Sequence, residues 1–313
     1  MSTFSSTTQV ADEDEEMDEL SDEEIEQYFL RLTVGDMDDT EQGRETKLHQ
    51  LLKRLLGGSS LGPIPEALSP DPNKKREVLD LCTGSGQWPM EMAQDFLHVS
   101  VLGLDLVPIT PPIDLPENVK FEIHDINLPT RFLPGSIDVI HARSISLTVR
   151  DYRTIINEAA RLLRPGGVLF SGEWRRYTAF DPTNYRHMTP HSDAPGLTHF
   201  FERLNDALLH RRGIRSVEHE IPQLITESGF FKEVIADSAF IPIGDYHDEL
   251  PLKQMGRIYR DCMKKFMEAS RRLMLEAGYT NAQLDIIFSD AWQDMKYVNG
   301  MGGIYHTVTA VKV

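Results

Sequence analysis

Two glycines and two carboxylates carry the most legible chemistry in this chain. The string Asp80-Leu-Cys-Thr-Gly84-Ser-Gly86-Gln-Trp88 follows a short apolar run. In that setting glycine lets the backbone approach a ligand and leaves N–H groups free at the next helix start. Asp105 stands 21 residues after Gly84, and a carboxylate closing a second strand can accept hydrogen bonds from both hydroxyls of a ribose. So far this fits any cofactor that carries a nucleoside. A dinucleotide further needs a third small residue three positions after Gly86, so that the helix packs on the strand and meets the pyrophosphate. Pro89 occupies that position, which argues against the dinucleotide.

S-adenosylmethionine has no pyrophosphate. Its site needs room for an amino-acid end near the loop, a ribose acid on strand two and an adenine-edge acceptor on strand three. Asp125 with the Ile126 amide is well placed for the last of these, with a turn or cap residue as the alternative. Histidine titrates near neutrality, so His141 is a candidate general base if the acceptor is protonated. A structural histidine is the competing assignment. Glu173 is the reserve base, Trp174 is pocket wall, and Arg143 reads first as a solvated or ion-paired residue, with a hold on a substrate carboxylate as the alternative.

Alternating strands and helices must position these groups. Strands are expected at 78–81, 99–105, 119–123, 137–140, 168–171, 232–241 and 304–312. Helices are expected at 22–32, 40–56, 88–96, 151–163, 197–212, 219–228, 249–277 and 281–296. Ser21 with Glu24 forms a capping box ahead of the first helix, and Gly57-Gly58 ends the second. Arg164-Pro-Gly-Gly167 is expected to end the helix before strand five. Repeated βαβ units imply a parallel sheet with helices on both faces, which binds ligands at the carboxyl ends of its strands. The last strand should run antiparallel.

The chain has 313 residues with 49 acids against 32 Lys and Arg, a formal net charge of −17. Residues 1–27 hold eleven acids and no Lys or Arg, leaving 38 acids against 32 bases in the rest. No basic stripe suits a phosphate backbone, so direct nucleic-acid binding is not expected. The acidic run reads as a solvated tail, and it is the segment through which a protein partner could bind. Two cysteines, Cys82 and Cys262, form no disulfide or zinc pattern and suit a reducing compartment. No apolar run reaches the roughly 20 residues of a membrane span, and the start lacks a secretory signal. A cytoplasmic or nuclear location is expected.

The string at 78–88, Gly103-Leu-Asp-Leu106, Asn118-Val-Lys-Phe121 with Asp125, Ile140-His-Ala-Arg143 and Leu163-Arg-Pro-Gly-Gly167 together resemble class I S-adenosylmethionine-dependent methyltransferases. More narrowly, they resemble the fungal group of LaeA-like regulators of secondary metabolism and UMTA-type enzymes. Residues 38–49 look like that group's pre-domain helix, and 241–244 and 304–310 fit it as well. The resemblance implies an α/β, Rossmann-like seven-stranded sheet with its last strand antiparallel and helical lid insertions. It also implies that Gly84, Gly86 and the Cys82 backbone surround the methionine portion. Asp80 would anchor the loop and help hold the ammonium, while Asp105 would bind the ribose with Leu106 beside the adenine. Asp125 and Ile126 would meet the adenine edge, and His141 would lie next to the methyl. Cys82 departs from the pattern, standing where the family's loop has its first glycine.

The expected organisation is an acidic tail at 1–20, helices and linker of a lid at 21–75, and a methyltransferase domain at 76–313 with lid insertions at about 175–215 and 245–297. The expected activity is methyl transfer to a small-molecule, secondary-metabolite acceptor. The alternative is a LaeA-like regulator acting through protein partners or protein methylation.

Overall fold

The computed structural model describes residues 41–108 and 115–313. The expected helix at 22–32, its capping box and the acidic tail lie outside the described residues.

Helix α1 (Glu41–Leu56) precedes the sheet and ends at Gly57 and Gly58, whose φ angles are +74° and +143°. A short α2 (Ile64–Ala67) leads into β1 (Arg76–Leu81), α3 (Gln87–Asp95), β2 (Val99–Asp105), β3 (Val119–Ile123) and β4 (Ile137–Arg143). The central strands pair in parallel, with Val78 opposite both Val101 of β2 and Val139 of β4. Helix α4 (Tyr152–Leu162) starts where the Asp151 side chain accepts from the Arg153 amide, and it buries Ile155, Ile156, Ala159 and Leu162.

Strand β5 (Leu163–Trp174) begins directly after α4, five residues earlier than its apolar core predicts. The Arg164-Pro-Gly-Gly167 segment belongs to the strand, not to a separate stop. Its pairing with β4 shifts register between Ile137 and Val139, and such an irregularity hides a strand start from alternation. A Cβ on Gly167 would lie 2.9 Å from the Arg164 and Asp138 carbonyl oxygens, so the close approach there requires glycine.

The first part of the expected lid insertion at 175–215 contains a two-residue strand β6 (Ala179–Phe180) and a short α5 (Pro190–Asp193). Then come α6 (Pro195–Arg212), α7 (Ile221–Ser228), β7 (Phe231–Pro242), α8 (Leu250–Glu276), α9 (Asn281–Tyr297) and β8 (Met301–Lys312). The last strand runs antiparallel to β5, β6 and β7. The sheet order is β3-β2-β1-β4-β5-β8, with β7 and the small β6 both paired to β8.

Side chains alternate between the two sheet faces with a period of two. Val78, Val139 and Phe170 pack with Trp88 and Met92 of α3, whereas Leu79, Ile140 and Leu169 pack with α4 and α7. A third cluster joins α6, α8 and α9 to Leu51 of α1, with Leu48 and Leu55 packed against it. It lies beside the sheet and forms the helical roof of the cleft. No helix among the described residues is long and apolar enough to cross a membrane.

Candidate functional site

A cleft of about 590 Å³ opens where β1, β2, β3, β4 and β5 end. Its floor is the loop after β1. Cys82 has φ +56° and Gly84 has φ +59°, so two residues of this turn are left-handed. Glycine adopts that conformation freely, whereas other L residues lose roughly 1–2 kcal/mol in it. Cys82→Gly is expected to change stability by less than about 1 kcal/mol, because the relieved strain is offset by glycine's added chain entropy and by the lost packing of the Cys82 side chain on the sheet core. A loss of more than about 2 kcal/mol in chemical denaturation would show that this packing outweighs the strain of the left-handed turn. Burial pushes the Cys82 thiol up to about 12, which removes it as a thiolate nucleophile.

Asp105 braces the same turn. Its Oδ2 accepts from the Gly84 amide at 2.8 Å and its Oδ1 from Val107 at 3.0 Å. Each oxygen keeps a second lone pair for a ligand. Leu106 is 59% exposed on the cleft wall. Asp125 closes a small turn by accepting from the amide and side chain of Asn127. The backbone bond from Asn127, with its side chain next, holds the Asp125 carboxyl below its usual range. Ile126 and Asn127 line the cleft beside it.

Three expected site residues lie elsewhere. Gly86, at φ +79°, is the residue that turns the chain into α3, and it is not part of the cleft wall. Asp80 and His141 pair across β1 and β4, and both are 3% exposed. His141 Nδ1 lies 2.6 Å from Asp80 Oδ1. The imidazole is stacked between Trp88 at 3.6 Å and Phe170 at 4.9 Å. Neither residue lines the cleft. The cause is parity: His141 shares the strand face of Val139, which turns toward α3. Burial lowers the imidazole to about 4 against the opposing pull of Asp80. The expectation of His141 beside a reacting methyl is therefore corrected; the structural histidine matches this geometry.

Glu173, near the end of β5, does line the cleft and is 1% exposed. Its Oε1 accepts from the amides of Ile145 at 2.9 Å and Ser146 at 3.2 Å. Burial pushes its carboxyl up to about 7, in spite of those bonds and the nearby Arg176. Arg176 is itself buried, donating to Asn205 Oδ1 and Ser146 Oγ. Trp174 stacks on Tyr259 of α8 at 4.8 Å, joining the strand end to the roof. Arg143 also reaches the cleft.

Residues 44, 45, 48, 49 and 52 of α1 line the cleft as well. Their spacing puts them on one helical face. The leucine pattern of this helix marks it as packed; the polar members of the same face, Arg44, Glu45 and His49, carry no periodic signal of their own. The roof helices add an apolar and aromatic part to the wall, with Phe201 and Leu204 from α6 and Tyr259, Met263 and Phe266 from α8.

A family model described as a methyltransferase domain matches residues 48–284. The chain is similar to the secondary metabolism regulator laeA of Coprinopsis cinerea, at 29% identity over 257 residues, covering 81% of this chain and 63% of that protein. It therefore spans less than two thirds of that relative's length. It is also similar to methyltransferase str2 of Strobilurus tenacellus, at 23% identity over 261 residues, covering 83% of this chain and 89% of that protein. Among solved structures, phosphoethanolamine N-methyltransferase 2 of Haemonchus contortus in complex with S-adenosyl-L-methionine matches with a TM-score of 0.48 and 15% identity, covering 93% of this chain and 57% of that one.

Proposed function

Since the chain belongs to the methyltransferase domain family and is an S-adenosylmethionine-dependent methyltransferase, we propose that it methylates a small-molecule acceptor, a secondary metabolite, held under the helical roof. The observation that carries this reading is the apolar and aromatic wall that α6 and α8 contribute to a cavity of about 590 Å³ also lined by the glycine loop. That volume falls within the roughly 300–1,000 Å³ of small-molecule sites.

The residues present fit the cofactor. Gly84 lets the backbone approach closely, Asp105 offers lone pairs at the end of β2, and Asp125, Ile126 and Asn127 form a rim at the end of β3. S-adenosylmethionine supplies a sulfonium methyl that is already activated toward displacement. The chain then has to orient the acceptor at about 3–3.5 Å and exclude water, and the roof helices are suited to both tasks. Glu173 Oε2, which accepts from the Ser146 amide at 3.3 Å, is the proposed proton acceptor for a hydroxyl nucleophile.

Asp105→Ala is expected to raise the dissociation constant for S-adenosylmethionine by roughly 10–100-fold, the scale of lost hydrogen bonds to a charged group. Calorimetry that finds wild-type affinity in the variant removes Asp105 from the ribose site.

The acceptor class is tested by incubating the protein with methyl-labelled cofactor and, separately, a metabolite extract and a protein extract of its source. Label in the metabolite fraction supports this reading. Label confined to protein favours the alternative, a LaeA-like regulatory methyltransferase, toward which the similarity to laeA points.

A further inference from the structure

The amino-acid end of the cofactor is a zwitterion, so its site calls for an acceptor for the ammonium and a donor for the carboxylate. Asp80, expected for the ammonium, is engaged by His141 and absent from the cleft wall. Another carboxylate lies over the loop. A Cβ built on Gly84 would meet Glu45 Oε2 at 2.7 Å and the Glu45 carboxyl carbon at 3.2 Å. Glu45 of α1 therefore rests on the loop residue that has no side chain to hold it away. Its side chain is 33% exposed, and Arg44 Nη2 lies 4.0 Å from its Oε1. Both residues line the cleft.

Helix α1 is fastened in this position from below. Glu91 of α3 accepts from Gln50 Nε2 at 3.4 Å, and its Oε2 lies 3.1 Å from His49 Nε2 and 3.7 Å from Lys53 Nζ. The Ser59 hydroxyl, just beyond the helix, donates to the same carboxylate. These ties hold the Arg44–Glu45 face toward the glycine loop.

We propose that α1 binds the amino-acid end of S-adenosylmethionine, with Glu45 accepting from its ammonium and Arg44 donating to its carboxylate. The proposal rests on the reading of the cleft as the cofactor site. Opposite charges about 4 Å apart complement a zwitterion whose own two charged groups are neighbours on one carbon. Charge-assisted hydrogen bonds of this kind are shorter and stronger than neutral ones. In this arrangement the segment before the first strand contributes to cofactor binding as well as to the acceptor wall.

Calorimetry on the full chain tests this with two ligands, S-adenosylhomocysteine and methylthioadenosine. The second keeps the nucleoside thioether and lacks the amino-acid end. Wild type is expected to bind S-adenosylhomocysteine more tightly. Glu45→Gln and Arg44→Gln are each expected to weaken S-adenosylhomocysteine about tenfold and to leave methylthioadenosine within about twofold, as loss of one charged contact requires. Gln is a good helix former, so α1 keeps its propensity in both variants. Equal weakening of the two ligands would assign the residues to helix packing, and unchanged S-adenosylhomocysteine affinity would remove them from the site; either overturns the proposal. Equal affinity of the two ligands for wild type overturns it without any variant. A wild-type chain that binds neither ligand overturns the cofactor reading instead.

Discussion

Glu173→Gln is expected to slow methyl transfer by about 10²–10⁴-fold, the contribution of one positioned proton acceptor, and to leave S-adenosylmethionine affinity unchanged. The carboxylate is fixed by the Ile145 and Ser146 amides and by Tyr152 Oη at 3.4 Å. Its protonation near pH 7 follows from burial. A group with that midpoint can take a proton from a bound hydroxyl and release it again at neutral pH. Wild-type turnover should therefore rise as pH increases through about 7, and the Gln variant should lack that limb.

Stability follows the opposite course. The folded carboxyl sits above the ordinary value of about 4.3, so its contribution is greatest below that pH. The contribution declines as pH rises toward about 7, and the Gln variant loses this slope. Single-turnover rates across this range separate the two effects. A variant with full turnover and an unchanged pH limb would show that Glu173 is a packing residue and that the acceptor needs no base.

Asp138→Ala is expected to destabilise the fold by about 1.5–3 kcal/mol, the loss of charge-assisted hydrogen bonds to the Glu77 amide and to three partly exposed cations. Asp138 opens β4 and is 3% exposed. Its oxygens accept from Arg76 at 2.9 Å, from the Glu77 amide at 2.9 Å and from Arg164, with Lys74 Nζ at 3.2 Å. One carboxylate thus joins the starts of β1, β4 and β5. Burial pushes its carboxyl up, but the Glu77 amide and the three cations outweigh that and lower it overall. The stabilisation is present above the unfolded carboxyl range and declines as pH falls below it. Urea denaturation at neutral pH measures the loss; a change under about 1 kcal/mol would place the pair among weak surface contacts.

The parallel strands, the antiparallel last strand and the glycine turn after β1 were legible in the sequence because each depends on local pattern. Runs of four to seven residues with apolar positions mark β1 to β4 in the sequence, and glycine marks the turn that must be left-handed. The start of β5 was not legible, because Pro165 and two glycines interrupt the alternation by which a strand is recognised. His141 shows a different limit. Its position at the end of β4 was correct, and its direction was wrong by one residue of parity, which the pairing with Val139's face decides. Glu45 and Arg44 were hidden for a third reason. Their place over Gly84 depends on how α1 docks on α3 and α8, and that contact is between segments far apart in the chain.

On the proposed reading the acceptor meets Leu48 of α1 together with α6 and α8, while the strand ends and Arg44 and Glu45 of α1 meet the methyl donor. These two tasks are therefore largely separable in evolution. Exchanges at Leu48, Phe201 or Phe266 can redraw the shape of the molecule admitted without disturbing the turn that Asp105 braces. The strand edge works as a fixed socket, and a lineage can acquire new products by changing the fittings above it.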